Sequence, residues 1–275
     1  MPEHALKTMK LYYEVERVFR ELRALGIEED QPVAVEELSD LDQYHYLGTE
    51  AVDEAIRLLG LRPGQRVLDV GSGIGGPARY IAHRAECRVT ALEIQPDLHI
   101  TAAALTERCG LEDRVEHVCG DILEWNANTE RFDALVSWLV FLHIRDRGAL
   151  LGRCFDALQP GGRLFAEDLF ALGSLTDEER GTLASKVYCC ALPSRFEYAV
   201  QLERAGFVDV EFVDMTKIWR RFVRERAEAY RRDRERQIEV NGAQVFAALD
   251  DFYRAMALLF EGGNLGGIRL TARRP

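Results

Sequence analysis

The chain of 275 residues lacks a long apolar segment. Its apolar runs, such as residues 255–260, are far shorter than the roughly 20 residues that cross a bilayer. The N-terminal residues are polar, so no secretory signal is expected. Six cysteines are present, but none forms a C-x-x-C pair and no Cys/His spacing suits zinc. We therefore expect a cytoplasmic protein with reduced thiols and no bound metal.

Positive charge is also scarce. The 35 basic and 46 acidic residues give a net charge of −11. Phosphate backbones and anionic membrane surfaces repel an acidic chain, so we expect no nucleic acid and no membrane as partner. Eight arginines cluster between residues 220 and 236, but acidic residues are interleaved with them, which is typical of a solvated helix face. The remaining partner class is a small molecule, and the composition indicates no particular oligomeric state.

The chain does contain an alternation of strands and helices, which is typical of a parallel sheet with helices on both faces. Before it, we expect an amphipathic helix over residues 8–25, a surface connection over 28–42 and a helix over 49–59. Strands are predicted at Arg66–Val70, Arg88–Leu92, Arg114–Val118, Phe132–Trp138, Arg163–Ala166, Val208–Val213 and Ile268–Ala272. Helices are predicted from about Pro77, over 97–109, 148–158 and 196–205, and in a long stretch of about 217–260.

A glycine-rich segment, VLDVGSGIGG, lies between the first strand of this alternation and its helix. Gly71, Gly73 and Gly76 fit G-x-G-x-x-G, which brings the backbone close to a ligand at a helix N-terminus. That N-terminus suits the pyrophosphate of a dinucleotide, and equally the carboxylate of an amino acid. Glu93 follows Gly71 by 22 residues and ends the second strand, where an acid bonds ribose hydroxyls. The fingerprint alone leaves both kinds of cofactor open.

Two acidic residues favour a nucleoside cofactor without phosphates. Asp69 lies inside the first strand, where a carboxylate would attract an ammonium group and repel pyrophosphate. Asp121 closes the third strand, where an acid can accept a hydrogen bond from the exocyclic adenine amine. A long insertion precedes the last strand, in place of a second catalytic domain, which also argues against a nicotinamide-dependent dehydrogenase.

The ordered segments VLDVGSGIGG, ALEI, CGDIL, FDALVSW and LQPGGRLFAED resemble the motifs of class I S-adenosylmethionine-dependent methyltransferases. The resemblance covers about residues 60–275. It implies a Rossmann-like seven-stranded α/β sheet with helices on both faces, an antiparallel last strand and a helical cap. It also implies S-adenosyl-L-methionine as the cofactor. Its methionine part would lie near Asp69, Gly71, Gly73 and Ser137, its ribose on Glu93, and its adenine on Ile94 and Asp121, with Tyr46, Ser72, Gln95 and Ile122 completing the site.

We expect residues 1–60 to form an N-terminal helical lid and residues 61–275 to form the methyltransferase domain. The helical insertion of about 217–260 would complete the cap. Tyr44 and Tyr46 belong to the lid, and we expect them to close over substrate and cofactor. Ordinary packing of an entry loop explains either tyrosine equally well.

Substrate groups should lie at the carboxyl ends of the strands. Asp168, near the end of the fifth strand, is the first choice to bind a substrate ammonium or orient a ring, although a salt bridge explains it equally well. His45 and His143 are further candidates for a base, with structural roles as the alternative. Side chains from the inserted segments are expected to line the substrate pocket, namely Tyr188, Lys217, Trp219 and Asn264.

The segments DQYHYLGTEAV, SWLVFLHI, DMTKIW and FEGGNLGG resemble a narrower group. They are similar to the C-terminal methyltransferase domain of the ovothiol-pathway 5-histidylcysteine sulfoxide synthase, which implies N-methylation of the 5-thiohistidine imidazole. Three alternatives stay open: an N-methyltransferase of another small amine of the glycine or sarcosine type, a nicotinamide-dependent oxidoreductase, and a non-catalytic cofactor-binding scaffold.

Overall fold

The computed structural model describes residues 14–125, 131–190 and 192–275. Within these ranges, seven strands form one sheet: β1 Arg66–Val70, β2 Arg88–Glu93, β3 Val115–Cys119, β4 Phe132–Trp138, β5 Leu158–Ala171, β6 Val208–Asp214 and β7 Leu265–Arg273. Their order across the sheet is β3-β2-β1-β4-β5-β7-β6. Neighbouring strands are parallel, except that β7 is antiparallel to both β5 and β6. The prediction of a seven-stranded sheet with an antiparallel last strand is confirmed.

Helices surround this sheet. In the described residues they are α1 Arg17–Ala24, α2 Val35–Asp42, α3 Gly48–Leu59, α4 Gly76–Arg84, α5 Pro96–Arg108, α6 Arg147–Ala157, α7 Asp177–Thr182, α8 Arg195–Arg204, α9 Thr216–Arg232, α10 Arg234–Asn241 and α11 Ala243–Glu261. The helix predicted over 8–25 is described from Arg17 onward, and its residues 8–13 lie outside the described ranges. No helix in the described part of the chain is long and apolar enough to cross a membrane.

The order in which the strands are added reverses at β1, which pairs with β2 on one side and with β4 on the other. Strand β1 is buried almost throughout because helices cover both faces of the sheet. In an open parallel sheet, a crevice forms outside the carboxyl ends of the strands at such a point. The glycine segment follows β1 directly and therefore lies in this crevice.

The prediction of a surface connection over residues 28–42 is wrong for its second half, because α2 forms there. Leu38 is fully buried, and Asp42 makes a buried ion pair with Arg79 of α4 at 2.9 Å. Arg79 also donates to the Ile74 carbonyl at 2.6 Å. The acidic residues of this segment favoured an exposed position, but the buried Arg79 neutralises the Asp42 carboxylate. This contact fixes α2 beside the glycine loop.

The helical stretch predicted over about 217–260 consists of three helices, α9 to α11. Gly242, with φ +88°, separates α10 from α11. Buried side chains of α9 and α11, such as Trp219 and Met256, form one apolar cluster. Tyr46 and Leu169 belong to the same cluster. The insertion and the segment before α3 therefore pack together beside the end of β5.

Candidate active site

The loop after β1 adopts a conformation that favours glycine. Gly71 has φ +73°, and a Cβ there would lie 2.4 Å from Val140 Cγ2. Its N–H donates to the Leu92 carbonyl at 2.8 Å, which ties the loop to β2. Gly73 has φ +56°, but a Cβ there would meet no atom within 4 Å. The space beside Gly73 is open, and it belongs to a first pocket that Gly71 also lines.

Three buried polar atoms on residues of the first pocket have no hydrogen-bond partner in the described part of the chain. They are Asp69 Oδ2, Ser72 Oγ and Trp138 Nε1. Leaving such a group unsatisfied costs roughly 1–3 kcal/mol. Burial, and then the charge of Glu93, raise the pKa of Asp69 to about 8. An ammonium group would favour the charged form of Asp69, so this pocket suits a ligand with a cationic amino group.

Glu93 ends β2 on the other side of the glycine loop. Its Oε2 accepts a hydrogen bond from Gly73 N and its Oε1 accepts one from Gln95 N, both at 2.9 Å. Burial raises the pKa of Glu93, and these backbone donors oppose the shift. Each oxygen keeps a second lone pair, so the carboxylate can also accept from two vicinal hydroxyls.

A second pocket continues from the loop along the ends of β2 and β3. It is lined by the residues predicted to hold ribose and adenine, namely Glu93, Ile94, Gln95, Asp121 and Ile122, and by the apolar Leu92, Leu98, Leu123 and Ile144. Asp121 Oδ1 accepts from Leu123 N at 2.9 Å. Gly71 and His143 line both pockets. The two pockets therefore meet at these two residues.

His143 stands at this junction, on the short 3₁₀ turn after β4. Its Nδ1 lies 3.2 Å from the Tyr188 carbonyl oxygen, which can only accept, so Nδ1 carries the proton. Burial lowers the pKa of His143 to about 4, and the ring is neutral at pH 7. Nε2 makes no hydrogen bond within the described residues, so it offers a lone pair. Tyr188 contributes its carbonyl here, whereas its side chain is not among those that line either pocket.

The aromatic segment before α3 forms one wall of the first pocket through Tyr44, His45 and Tyr46. The ring of His45 stacks on Trp138 with centroids 5.3 Å apart. Its Nδ1 lies 3.0 Å from the Tyr46 carbonyl oxygen and its Nε2 lies 2.9 Å from Gln43 Oε1. Burial lowers the pKa of His45 to about 4. Because both ring nitrogens are engaged, His45 shapes the wall and is not placed to act as a base.

The expectation that Asp168 meets the substrate is wrong. Strand β5 continues to Ala171, so Asp168 lies inside the strand and is fully buried. Its Oδ2 accepts from the Tyr198 hydroxyl at 2.9 Å and pairs with Arg147 Nη1 at 3.3 Å. Successive strand residues alternate between faces, and it is Leu169 that lines the first pocket. Asp168 instead fixes α6 and α8 to the sheet.

Two other predicted residues are used in structural contacts. The Ser137 hydroxyl donates to the Val70 carbonyl at 2.9 Å, which joins β4 to β1, and it lines neither pocket. The Asn264 amide donates to both carboxylate oxygens of Glu179, at 3.0 and 3.2 Å. Their predicted roles beside cofactor and substrate gain no support from these contacts and stay predictions.

The two residues predicted from α9 also lie outside both pockets. Lys217 is exposed on the outer face of the helix. Trp219 is fully buried, and its ring packs edge-on against Tyr46 with centroids 4.9 Å apart. A Cβ on Gly267 would lie 2.0 Å from the Trp219 ring. Trp219 supports the pocket wall through Tyr46 and is too deep to touch a ligand.

Arg226 of α9 lines the first pocket and was not predicted. The eight clustered arginines resembled a solvated surface as a group. The informative signal was the spacing of Arg226, which lies three and seven residues after the buried Val223 and Trp219. That spacing places Arg226 on the inner face of the helix. The first pocket also has an apolar lining that was not predicted from the sequence, formed by Leu142, Val187, Phe252 and Met256.

Within the described ranges, no three His, Cys, Asp or Glu side chains group closely enough to hold a metal ion. Cys87, Cys109, Cys119, Cys154 and Cys190 are free thiols.

Comparison with known proteins agrees with this geometry. Residues 67–162 match a family model described as a methyltransferase domain. A phosphoethanolamine N-methyltransferase of Triticum aestivum is 32% identical over 170 residues, which cover 62% of this chain and 33% of that protein. A glycine/sarcosine/dimethylglycine N-methyltransferase of Actinopolyspora halophila is 30% identical over 157 residues, covering 57% of this chain and 28% of that protein. The chain spans about a third of the length of these curated relatives.

Solved structures share the fold over a longer part of the chain. Phosphoethanolamine N-methyltransferase 2 of Haemonchus contortus, in complex with S-adenosyl-L-methionine, matches 99% of this chain and 60% of its own with a TM-score of 0.82 at 20% identity. A putative sarcosine dimethylglycine methyltransferase of Galdieria sulphuraria matches 94% of this chain and 98% of its own with a TM-score of 0.74 at 17% identity. By this match, residues 67–162 lie in a methyltransferase domain, and the sheet has the strand order of the class I S-adenosylmethionine-dependent methyltransferase fold.

Proposed function

We propose that this protein transfers a methyl group from S-adenosylmethionine to the nitrogen of a small amine of the glycine or sarcosine type. Its sequence relatives include N-methyltransferases of phosphoethanolamine and of glycine, sarcosine and dimethylglycine, which supports nitrogen as the accepting atom. The observation that carries the proposal is His143, a neutral imidazole at the junction of the two pockets with Nε2 open.

The residues present fit the cofactor. Asp69 Oδ2, with no partner in the described chain, would accept from its ammonium group, and Glu93 would accept from the ribose hydroxyls. Asp121 would meet the adenine amine at the far end of the second pocket. When bound, S-adenosylmethionine supplies a methyl carbon on a positively charged sulfur that is a good leaving group.

His143 would position the acceptor nitrogen. A small amine is mostly an ammonium ion at pH 7 and has no free lone pair in that form, so it must first release a proton to water. Nε2 of His143 can then accept a hydrogen bond from a remaining N–H and hold the lone pair toward the methyl carbon, because Nδ1 is already protonated against the Tyr188 carbonyl. With a pKa of about 4, His143 does not itself keep the proton. The apolar side chains of Leu142, Leu169 and Met256 exclude water around the acceptor.

The imidazole of 5-thiohistidine stays a prediction as acceptor. The attacking nitrogen of a neutral imidazole carries no hydrogen, whereas Nε2 of His143 is placed to accept an N–H from the acceptor. For this reason the amine is the better supported acceptor.

The test is a mass-spectrometric screen for a gain of one CH₂ across glycine, sarcosine, phosphoethanolamine, ethanolamine, methylamine and 5-thiohistidine, with His143→Gln beside the wild type. Loss of the hydrogen bond that orients the lone pair should lower kcat about tenfold in His143→Gln. The matched control is His83→Gln, since His83 is exposed and, in the described part of the chain, its partner is Glu36 alone. Calorimetric affinity for S-adenosylhomocysteine should stay within about threefold in both variants. Faster methylation of 5-thiohistidine than of every amine, or an unchanged kcat in His143→Gln, contradicts the proposal.

A further inference from the structure

The side chain of Arg226 has an unusual environment. It projects from α9 into the lining of the first pocket, where its guanidinium carbon lies 4.6 Å from the ring centroid of Tyr253, 5.0 Å from that of Tyr46 and 5.2 Å from that of Phe222. These rings come from two inserted helices and from the segment before α3. Three separate parts of the chain therefore converge on one cation at the pocket wall.

Arg226 has no carboxylate partner among the described residues. Its Nε is buried and makes no hydrogen bond within the same ranges. Other arginines of this cluster do have partners: Arg231 pairs with Asp250 at 2.9 Å and Arg236 pairs with Glu21. An unpaired cation at a partly buried position costs free energy, so Arg226 lowers the stability of the unliganded fold.

The surrounding rings account for only part of this arrangement. Aromatic faces attract the cation. They hold the plane of the guanidinium but do not satisfy its N–H donors, of which arginine has five. A side chain that is charged, held in place and short of acceptors is suited to a planar or multidentate anion.

We propose that Arg226 binds an anionic group of the methyl acceptor, a carboxylate or a phosphate, so that the acceptor is an amine that also carries a negative charge. This inference rests on the proposed amine methylation at the same site. It adds the chemical class of the substrate and the residue that selects it.

The charges in the pocket favour the acceptor over the cofactor as the source of this anion. Arg226 lines the first pocket together with Tyr46 from the lid and with Phe252 and Met256 from α11, whereas Asp69 and the glycine loop belong to the sheet side of the pocket. The positive sulfur of the methyl donor would lie beside the positive Arg226, and the acceptor nitrogen is itself positive when it arrives and again once it is methylated. An anion on the acceptor offsets this repulsion, and an acceptor without one would leave three positive charges together.

The experiment compares matched acceptors that differ in the anion: glycine with methylamine, and phosphoethanolamine with ethanolamine. Wild type is expected to favour one anionic member over its partner by at least about tenfold in kcat/KM, since a hydrogen-bonded ion pair is worth that much or more. In Arg226→Met this ratio should fall to within about threefold of one, and Arg226→Lys should keep part of it. The matched control is Arg224→Met, an exposed arginine of the same helix, which should keep the wild-type ratio. The favoured pair tells a carboxylate from a phosphate.

A second readout does not depend on turnover. Wild type saturated with S-adenosylhomocysteine is titrated with acetate and with inorganic phosphate in a thermal-shift assay. Stabilisation by one anion in wild type and Arg224→Met, but not in Arg226→Met, supports the proposal even if none of the amines is methylated. No stabilisation in wild type overturns it. Equal kcat/KM for the matched acceptors overturns it too, while amine methylation itself stands. A tenfold loss of S-adenosylhomocysteine affinity in Arg226→Met with the acceptor ratio unchanged assigns Arg226 to the cofactor and also overturns the proposal.

Discussion

Substitution of Asp69 by Asn tests the electrostatics on which cofactor binding rests. Asp69 is buried, its Oδ2 has no partner in the described chain, and its pKa is raised to about 8. The carboxylate must be charged to hold an ammonium group, so binding of S-adenosylhomocysteine should require the loss of a proton from Asp69. Affinity should therefore rise with pH below about pH 8 in wild type.

The magnitude follows from the ionised fraction of free Asp69. With a pKa of about 8, that fraction rises from about 1% at pH 6 to about 9% at pH 7, so the affinity should rise about ninefold over this unit. The ligand's own α-amino group stays largely protonated below pH 7 and adds little to this slope. Asn cannot ionise, so Asp69→Asn should lose this slope. It should also bind at least about tenfold more weakly at pH 7, because a charge-assisted hydrogen bond is lost.

Isothermal titration calorimetry at half-unit pH steps between pH 5.5 and 7 measures both effects. Repeating the pH 7 titration in buffers of different ionisation enthalpy should show release of close to one proton in wild type and less in Asp69→Asn. The same raised pKa makes the unliganded fold lose stability as pH rises from about 4 to 8, since the native state holds a proton that the unfolded state has released. Asp69→Asn should remove that loss. Parallel pH slopes in wild type and variant would refute the assigned role of Asp69.

Two further expectations concern the loop and metals. Gly73→Val should nearly abolish S-adenosylhomocysteine binding, because its side chain would occupy the open space of the first pocket; Gly161→Val, at a glycine with φ +82° and equally open space, controls for backbone strain and should bind normally. Normal calorimetric affinity in Gly73→Val contradicts this placement. Turnover should survive a strong chelator, because the methyl carbon already carries a good leaving group and needs no Lewis acid. Activity that a chelator removes and a divalent ion restores would show a metal requirement.

The sheet and the cofactor side of the site could be predicted because their signals are local. β1 and β4 were placed correctly to the residue, since each is a short apolar run beside turn residues. Gly71 and Gly73 follow β1 at once, so the strand fixes where the loop lies. Glu93 ends the neighbouring strand, and parallel pairing brings the two ends together.

Asp168 shows where this logic fails. The strand was predicted to end at Ala166, but it ends at Ala171. Five extra residues move Asp168 from the end of the strand into its interior, where the face is decided by alternation. The face away from the pocket contains Arg147 and Tyr198, and neither contact can be read from the strand's own sequence.

The pocket residues of the cap were not predicted for a different reason, and this reason also concerns substrate specificity. Arg226, Tyr46 and Tyr253 are far apart in sequence and meet only through packing between α9, α11 and the segment before α3. No local period marks such a contact, and the average charge of residues 220–236 conceals the one arginine that turns inward. A cofactor that all members of a family share can be bound by a loop whose position the sheet determines. An acceptor that differs between members is bound by side chains of the cap, which differ as well. The acceptor therefore has to be sought through Arg226 and its neighbours, because the glycine loop carries information about the methyl donor alone.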